Sequence, residues 1–368
     1  MSEKKQIHYN IDDIANLGCN YNLIFGEKSN GKSYQVKHKF GIEPALKNPE
    51  QKFYLTRRFK EELTPSKVEK WLADVNITSL TDGEYNTFVA YRNRIYLGFY
   101  NIDTCKTLKG PVIGYYDSLS REQNNAGGSF LDVSNIIFEE FMSRSVYLPN
   151  EPAKLQTLYS TIDRKRATTR VWMVGNTVTR ICPYFQSWGL DKLIRNMQQG
   201  DITTHVIEPE NLEEDDDLSK FTLAIEYCKS SGGNKTAFGY GSGAIDAGKW
   251  MSDPQPRLPK SIKEYRLIYR VGFFYAGYKW LGDVLVDSDH SLCWFIYPKP
   301  IEEDFTDILL FSDQPSPNKW IWGNPYNCGL NNAKLQNILS TFTESKIFYS
   351  DDLTGTDFKK AINFIIRK

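Results

Sequence analysis

The sequence predicts an α/β protein in which a parallel sheet is followed by a second, smaller α/β part. Short apolar runs alternate with helical stretches along the first part of the chain. Such runs are typical of parallel strands that helices cover on both faces. An acidic and Gly/Pro-rich segment follows, and beyond it strand patterns come before helical ones, which indicates a separate unit. The 368 residues also exceed one ordinary small domain.

Four buried strands and one helix are expected in the first part. Leu155, Leu158 and Ile162 recur at helical spacing and predict a helix between the last two strands. The strand patterns occupy residues 21–25, 52–55, 135–138 and 171–174.

The middle of the chain has the composition of a linker. An acidic run from Glu213 to Asp217 leads into glycine-rich and then proline-rich sequence, with a helix expected over Leu218 to Cys228. We therefore predict domains at 1–205, 206–260 and 261–368. In the last domain, strands are predicted at 264–271, 278–286, 292–297 and 346–349, and helices at 331–342 and 357–366.

Composition excludes several classes of protein. Lys+Arg and Asp+Glu both number 45, so a generally basic nucleic-acid-coating protein is excluded, although a local basic loop or channel stays open. The 6 cysteines and 4 histidines are scattered without zinc or disulfide spacing, which favours a reducing cytoplasm. The sequence predicts no signal peptide and no membrane span.

The first strand is followed by a phosphate-binding motif. The sequence fits GxxxxGK[ST] in full, and it lies between an apolar strand and a helix, as this chemistry requires. Lys32 is expected to reach the β- and γ-phosphates, and the Ser33 hydroxyl to ligate Mg²⁺. A Gly/Ser turn with a stray lysine is the structural alternative. The motif residues predicted to bind ATP are Gly26, Glu27, Lys28, Ser29, Asn30, Gly31, Lys32 and Ser33.

Two acids end the third strand. Glu139 is expected to hold the Mg²⁺ shell, directly or through water, and Glu140 to polarise the attacking water. P-loop ATPases usually carry Asp in the first position, so the longer Glu139 departs from the pattern. The alternative is a solvated strand end.

Polar and basic residues near the other strand ends complete the expected site. Asn176 ends the fourth strand, where its amide would sense the γ-phosphate unless it is an ordinary turn residue. Arg164 and Arg166 are candidates for an arginine finger supplied in trans, against a solvated helix end. Basic residues after the second strand would touch DNA phosphates or form structural salt bridges, and they are Arg57, Arg58 and Lys60.

Together these motifs resemble those of the DNA-packaging (encapsidation) ATPases of phi29-like tailed phages. The resemblance covers about 200 residues well, and the C-terminal part matches in size and order of elements. Its pieces are His8-Tyr9-Asn10, the strand with Gly26 to Tyr34, the strand with Arg57-Arg58, Ser118-Leu119-Ser120, Ile136 to Phe141, the helix into Arg164, and the strand into Gly175-Asn176.

The resemblance implies a fold, a cofactor set and partners. The fold is an ATPase domain with an additional strand and a catalytic glutamate (ASCE type), a linker subdomain and an RNase H-like domain without nuclease activity. ATP and Mg²⁺ are implied, and Tyr34 joins the ATP-binding residues. A homo-oligomeric ring, a pentamer in the family, would dock on the portal (connector) of a procapsid and act on double-stranded DNA in the host cytoplasm, with no membrane involved. The use of a structural packaging RNA stays open.

Three further functions stay open on the sequence alone. A terminase-type enzyme would have a working nuclease domain, but two-metal cleavage needs a carboxylate in the first strand of that domain, and Tyr265 to Phe273 contains none. Asp283, Asp287 and Asp289 follow, and we expect turn or surface acids there. The second function is that of a cellular helicase or transporter ATPase, and the third is that of a non-hydrolytic assembly factor.

Overall fold

The structure is a computed structural model of the chain. It describes residues 9–121, 129–144, 146–207, 221–231, 247–275, 277–299, 309–312, 321–322, 340–342 and 345–367. The described residues form two compact units. One lies within Met1–Val178, Met197–Thr236 and Ile245–Lys249, and the other within Thr179–Asn196, Ala237–Ala244 and Trp250–Lys368.

A nine-stranded sheet forms the centre of the first unit. Its order is β3-β4-β5-β2-β6-β7-β1-β9-β8. The six strands from β5 to β9 in this order run parallel, and β3, β4 and β8 extend the two edges antiparallel. The strands are β1 (Tyr21–Gly26), β2 (Lys52–Thr56), β3 (Thr87–Tyr91), β4 (Arg94–Asn101), β5 (Lys106–Tyr116), β6 (Val133–Glu139), β7 (Arg170–Asn176), β8 (Ile202–Ile207) and β9 (Phe221–Tyr227).

Short helices cover this sheet. They are α1 (Asp12–Ala15), α2 (Lys32–Val36), α3 (Glu43–Lys47), α4 (Pro65–Leu72), α5 (Ile77–Leu80) and α6 (Glu151–Asp163). A π-helix over Lys37–Ile42 joins α2 to α3, and a 3-10 turn spans Lys60–Glu62. Pro44 in α3 has no N–H to give to the preceding turn, which accounts for a wider hydrogen-bond pattern before it.

The core of the first unit lies on the two faces of the central strands. All six residues of β1 are buried, and β7 and β9 pair with it on either side. Phe53 on β2, Ile137 on β6 and Trp172 on β7 are fully buried, and Phe40 stacks on the Trp172 ring at 3.7 Å. The central strands are therefore closely packed, and the loops at their ends begin from this core.

The second unit is built on a six-stranded sheet of order β14-β13-β10-β11-β12-β15. Strands β10, β11 and β12 form an antiparallel meander, and β13 and β14 run parallel to β10 on its other side. The elements are β10 (Arg266–Tyr275), β11 (Tyr278–Val286), β12 (Leu292–Pro298), β13 (Leu309–Ser312), β14 (Ile321–Trp322), β15 (Lys346–Tyr349), α7 (Pro183–Ser187), α8 (Asp191–Asn196) and α9 (Asp352–Arg367), with a 3-10 turn at Ile262–Glu264.

The predicted α/β class and all of the predicted strands are confirmed. The helix expected over Leu218 to Cys228 is wrong, because Phe221–Tyr227 is strand β9 beside β1. Its residues Leu223, Ala224 and Ile225 are fully buried, so sheet packing outweighs local propensity. The predicted acidic run lies outside the described residues, as does most of the helix at 331–342. The boundaries at 205 and 260 stay a prediction.

Candidate active site

The phosphate loop joins β1 to α2 at the edge of the sheet where the parallel strands end. Gly26 and Gly31 have φ of +154° and +99°, a region that favours glycine. A Cβ on Gly26 would lie 3.0 Å from the Cβ of Cys228, so any side chain there would crowd Cys228. Gly31 precedes the helix that begins at Lys32, so the first free backbone N–H groups face the loop.

Lys32 is buried beneath this loop. Its ammonium donates to the Glu27 carbonyl, to Asn30 Oδ1 at 3.1 Å and to Asn176 Oδ1 at 3.4 Å. Burial lowers the pKa of Lys32, while nearby acidic groups, among them Glu139, oppose that shift. The predicted lysine and the predicted sensor amide therefore lie together. Lys32 begins α2 after the loop that follows β1, and Asn176 ends the neighbouring strand β7, whose register pairs it with Gly26.

Glu139 ends β6 and faces α2. Its Oε2 accepts a hydrogen bond from Ser33 Oγ at 3.0 Å, and its Oε1 accepts one from Trp71 Nε1 at 3.2 Å. Burial raises the pKa of Glu139, and the hydrogen bond from Ser33 is the largest opposing effect. Trp71 belongs to α4, and no motif in the sequence singled it out.

The pair formed by Ser33 and Glu139 fits a magnesium ion. A hydroxyl oxygen and a carboxylate oxygen are hard ligands of the kind that Mg²⁺ takes, usually together with water and substrate phosphates. They lie 3.0 Å apart beside the start of α2, where phosphates would be bound. The residues present therefore suit the ion that the motif implies.

Glu140, the second acid, has a more exposed position. It has φ of +57°, so the backbone turns sharply after the strand. Its side chain is 56% exposed and forms a 2.8 Å ion pair with Arg57 Nη2, at the end of β2. The two consecutive acids therefore differ in environment, with Glu139 buried against α2 and Glu140 at the surface.

A second set of polar contacts, which was not predicted, connects the phosphate loop and β9 to distant segments of the chain. Tyr9 donates from its hydroxyl to Glu226 Oε2 at 2.6 Å, and its backbone N–H bonds to the Asn30 carbonyl. Burial raises the pKa of Glu226 to about 7. Glu27 accepts bonds from the N–H and hydroxyl of Ser231 at 2.7 and 2.9 Å. The loop is thus fixed from both sides by the N-terminal segment and by residues after β9.

The two candidate finger arginines lie at the opposite edge of the sheet. Both precede β7, whereas the phosphate loop follows the end of the parallel neighbour β1. A seven-residue strand spans roughly 23 Å, so neither arginine reaches the phosphate loop of its own subunit. Arg166 donates to the carbonyls of Leu131, Val133 and Ile162, and its role as a finger stays a prediction. Arg164 is exposed and keeps that prediction.

The basic residues after β2 separate into different roles. Arg58 is buried and forms a two-bond ion pair with Glu151, so its prediction as a DNA contact is wrong. Its guanidinium also donates to the carbonyls of Glu140 and Phe141, at 3.3 and 2.8 Å. Lys60 is exposed in the following turn.

The acids of the second unit do not form a metal site among the described residues. Asp283 is not the turn or surface acid that we expected, because it is buried and pairs with Arg270 through bonds of 2.6 and 2.8 Å. Asp287 accepts the N–H groups of Asp289 and Ser291 and belongs to the turn between β11 and β12, as predicted. Arg270 on β10 thus neutralises the nearest carboxylate.

Comparison with known proteins identifies the family. Residues 3–222 match the family described as podovirus DNA encapsidation protein (Gp16). This chain belongs to that family. Among encapsidation proteins, the DNA packaging protein of Bacillus phage phi29 is 28% identical over 300 residues, which cover 79% of each chain. That of Bacillus phage B103 is 31% identical over 172 residues, 46% of this chain and 48% of its own.

The likeness to solved structures extends the match over the second unit. A chain of the phi29 viral genome packaging motor assembly aligns with 97% of this encapsidation protein and 99% of its own length, with a TM-score of 0.50 and 22% identity. At this identity the comparison supports the fold alone. In the first sheet of this chain, β7 lies between β1 and β6. None of the described helices is long and apolar enough to cross a membrane.

Proposed function

We propose that this chain is the ATP-driven motor that moves viral double-stranded DNA into a procapsid. One observation carries the proposal: Lys32, Ser33, Glu139, Glu140 and Asn176 meet at one edge of a single parallel sheet. A lysine, a hydroxyl, two acids and an amide are the groups that phosphoryl transfer to water requires. Membership in the encapsidation family supports DNA as the polymer that the motor moves.

Each of these residues would have a separate role in ATP binding and hydrolysis. Backbone N–H groups at the start of α2 and Lys32 bind the phosphates, while Asn176 contacts the γ-phosphate. Ser33 and Glu139 would hold Mg²⁺, which neutralises phosphate charge when bound. Glu140 orients the attacking water and accepts its proton.

Arg57 would link this chemistry to DNA. It holds Glu140 in a 2.8 Å ion pair, so Glu140 must leave Arg57 before it can orient the water. A DNA phosphate that binds Arg57 would compete for the guanidinium and release the carboxylate. Lys60 is exposed three residues further on and would bind the same backbone. The site therefore supports an ATPase that DNA stimulates.

A ring of several copies completes the proposal. Arg164 cannot reach its own phosphate loop, so a finger at this position needs a neighbouring subunit. We propose a homo-oligomeric ring, a pentamer as in the resemblance, that docks on the procapsid portal in the host cytoplasm. A packaging RNA that helps to attach it belongs to the same hypothesis.

ATPase activity of the purified chain, with and without double-stranded DNA and procapsids, tests the function. We expect turnover that DNA increases. Lys32→Ala should weaken ATP binding, with Lys106→Ala, an exposed lysine at the start of β5 and outside the phosphate loop, as its control. Glu140→Gln should bind ATP and not turn it over, because an amide cannot accept the proton. Hydrolysis by Glu140→Gln near the wild-type rate would remove Glu140 from this role.

A further inference from the structure

Trp71 is the one protein donor, other than Ser33, that contacts the Glu139 carboxylate in the described structure. Each carboxylate oxygen thus has a single neutral donor, one from the phosphate-loop helix and one from α4. The two donors approach from different elements, and together they determine the direction in which the carboxylate points.

The indole of Trp71 is itself held in place. Lys37, in the π-helix that continues α2, donates to the Trp71 carbonyl and to Asp74, and its ammonium lies 5.0 Å from the indole centroid. The ring of Phe53 lies 6.3 Å away on the core side. Lys37 is 2% exposed, so this support is buried and rigid. The indole N–H of α4 is therefore supported by a lysine of the helical segment that continues from Lys32 and Ser33.

The space around Glu139 explains why such a donor is needed. A cavity of about 230 Å³, lined among others by Leu55, Arg57, Trp71 and Glu139, adjoins the carboxylate. A glutamate has one more rotatable bond than the aspartate usual at this position, and a neighbouring cavity leaves it room to turn away. The Trp71 N–H opposes that rotation.

We propose that Trp71 is a positioning residue that adapts the longer Glu139 to the magnesium site. The indole N–H holds Oε1 so that Oε2 stays beside Ser33, where the ion would be bound. The inference rests on the proposed ATP site and adds to it a specific role for α4. An aspartate at this position is shorter by roughly 1.5 Å, the length of one C–C bond, and would lie out of reach of the indole.

The test measures how much Mg²⁺ strengthens ATP binding by the full-length chain. The affinity for a fluorescent ATP analogue is compared in Mg²⁺ and in EDTA, for wild type, Trp71→Phe, Glu139→Asp and the double variant. Trp71→Phe should retain wild-type affinity in EDTA and lose roughly tenfold of the Mg²⁺-dependent gain, the value of one hydrogen bond to a charged group. In the Glu139→Asp background the same change should cost less than about twofold.

Trp172→Phe is the matched control. Trp172 also donates its indole N–H to a side chain of β6, but to Asn135 near the start of the strand, at 2.9 Å. Its loss should lower the thermal midpoint and leave the Mg²⁺-dependent gain unchanged. If Trp71→Phe does not fold, Trp71→Met fills a similar volume without a donor and is measured instead.

Three outcomes overturn the role. Equal Mg²⁺-dependent gains in wild type and Trp71→Phe would show that the indole does not position Glu139. Equal losses from Trp71→Phe in the wild-type and Glu139→Asp backgrounds would show that Trp71 acts independently of the acid. Wild-type protein whose ATP affinity does not depend on Mg²⁺ would overturn the proposed site itself, which separates the failure of the function from that of the inference.

Discussion

The ion pair between Arg58 and Glu151 gives the sharpest stability prediction. Their exposed side-chain fractions are 4% and 0%, and both bonds between them measure 2.7 Å. Glu151 Oε2 also accepts the backbone N–H of Leu148, and Arg58 also donates to the carbonyls of Glu140 and Phe141. The pair therefore connects the turn after β6 to the start of α6. Arg58→Ala would remove the guanidinium that pairs with this fully buried carboxylate, which costs about 3–5 kcal/mol of unfolding free energy.

Thermal unfolding measures this cost. A domain of this size loses about 2–4 °C in Tm per kcal/mol, so Arg58→Ala should lower Tm by roughly 6–20 °C. Arg57→Ala next to it removes a partly exposed pair and should cost about 1 kcal/mol or less. The double variant Arg58→Met/Glu151→Leu, which removes both charges, should recover most of the loss. A Tm for Arg58→Ala within about 3 °C of wild type would refute the reasoning.

Three further predictions concern catalysis, pH and the second unit. Mixing Arg164→Ala with Glu140→Gln should partly restore ATPase activity, because some interfaces pair an intact arginine with an intact glutamate; no rescue in verified mixed rings would contradict a trans finger. Since burial raises the pKa of Glu226 from 4.5 to about 7, the folded protein loses stability as pH rises between these two values. Glu226→Gln should therefore be more stable than wild type in denaturant at about pH 8 and equal to it at about pH 4. The chain should not cut DNA in Mg²⁺ or Mn²⁺, and cleavage that disappears on mutating Asp287 or Asp289 would contradict this.

The sequence was most informative where a function forces local chemistry. Each of three features is next to an apolar run: the P-loop, the acidic end of β6 and the amide that ends β7. The sheet brings them to one edge because parallel strands end together. In the structure, Lys32 is hydrogen-bonded to Asn176, and Ser33 is hydrogen-bonded to Glu139. Spacing alone could predict that they share an edge.

Contacts between distant segments could not be predicted in this way. Glu226 meets Tyr9 across 217 positions, and Trp71 meets Glu139 across 68. Neither Glu226 nor Trp71 belongs to a motif, and an amphipathic helix such as α4 gives no signal for which partner its tryptophan meets. The sequence also could not assign separate roles to Arg57 and Arg58 after β2. The side chains of two adjacent residues at the end of a strand point to opposite sides, and only the structure shows that Arg58 is the buried one.

The chain leaves the first unit next to Asn176, the proposed γ-phosphate sensor. Thr177 directly follows Asn176, and the boundary of the unit falls one residue later, after Val178. The Thr177 hydroxyl donates to the carbonyl of Lys249 at 2.8 Å, and Lys249 is the last residue before the chain crosses again. Tyr227, at the end of β9, donates to the Gly248 carbonyl at 2.6 Å. Residues at two of the points where the chain leaves the first unit, after Val178 and after Lys249, are therefore hydrogen-bonded to one another or to β9, and β7 and β9 lie on either side of β1 and its phosphate loop.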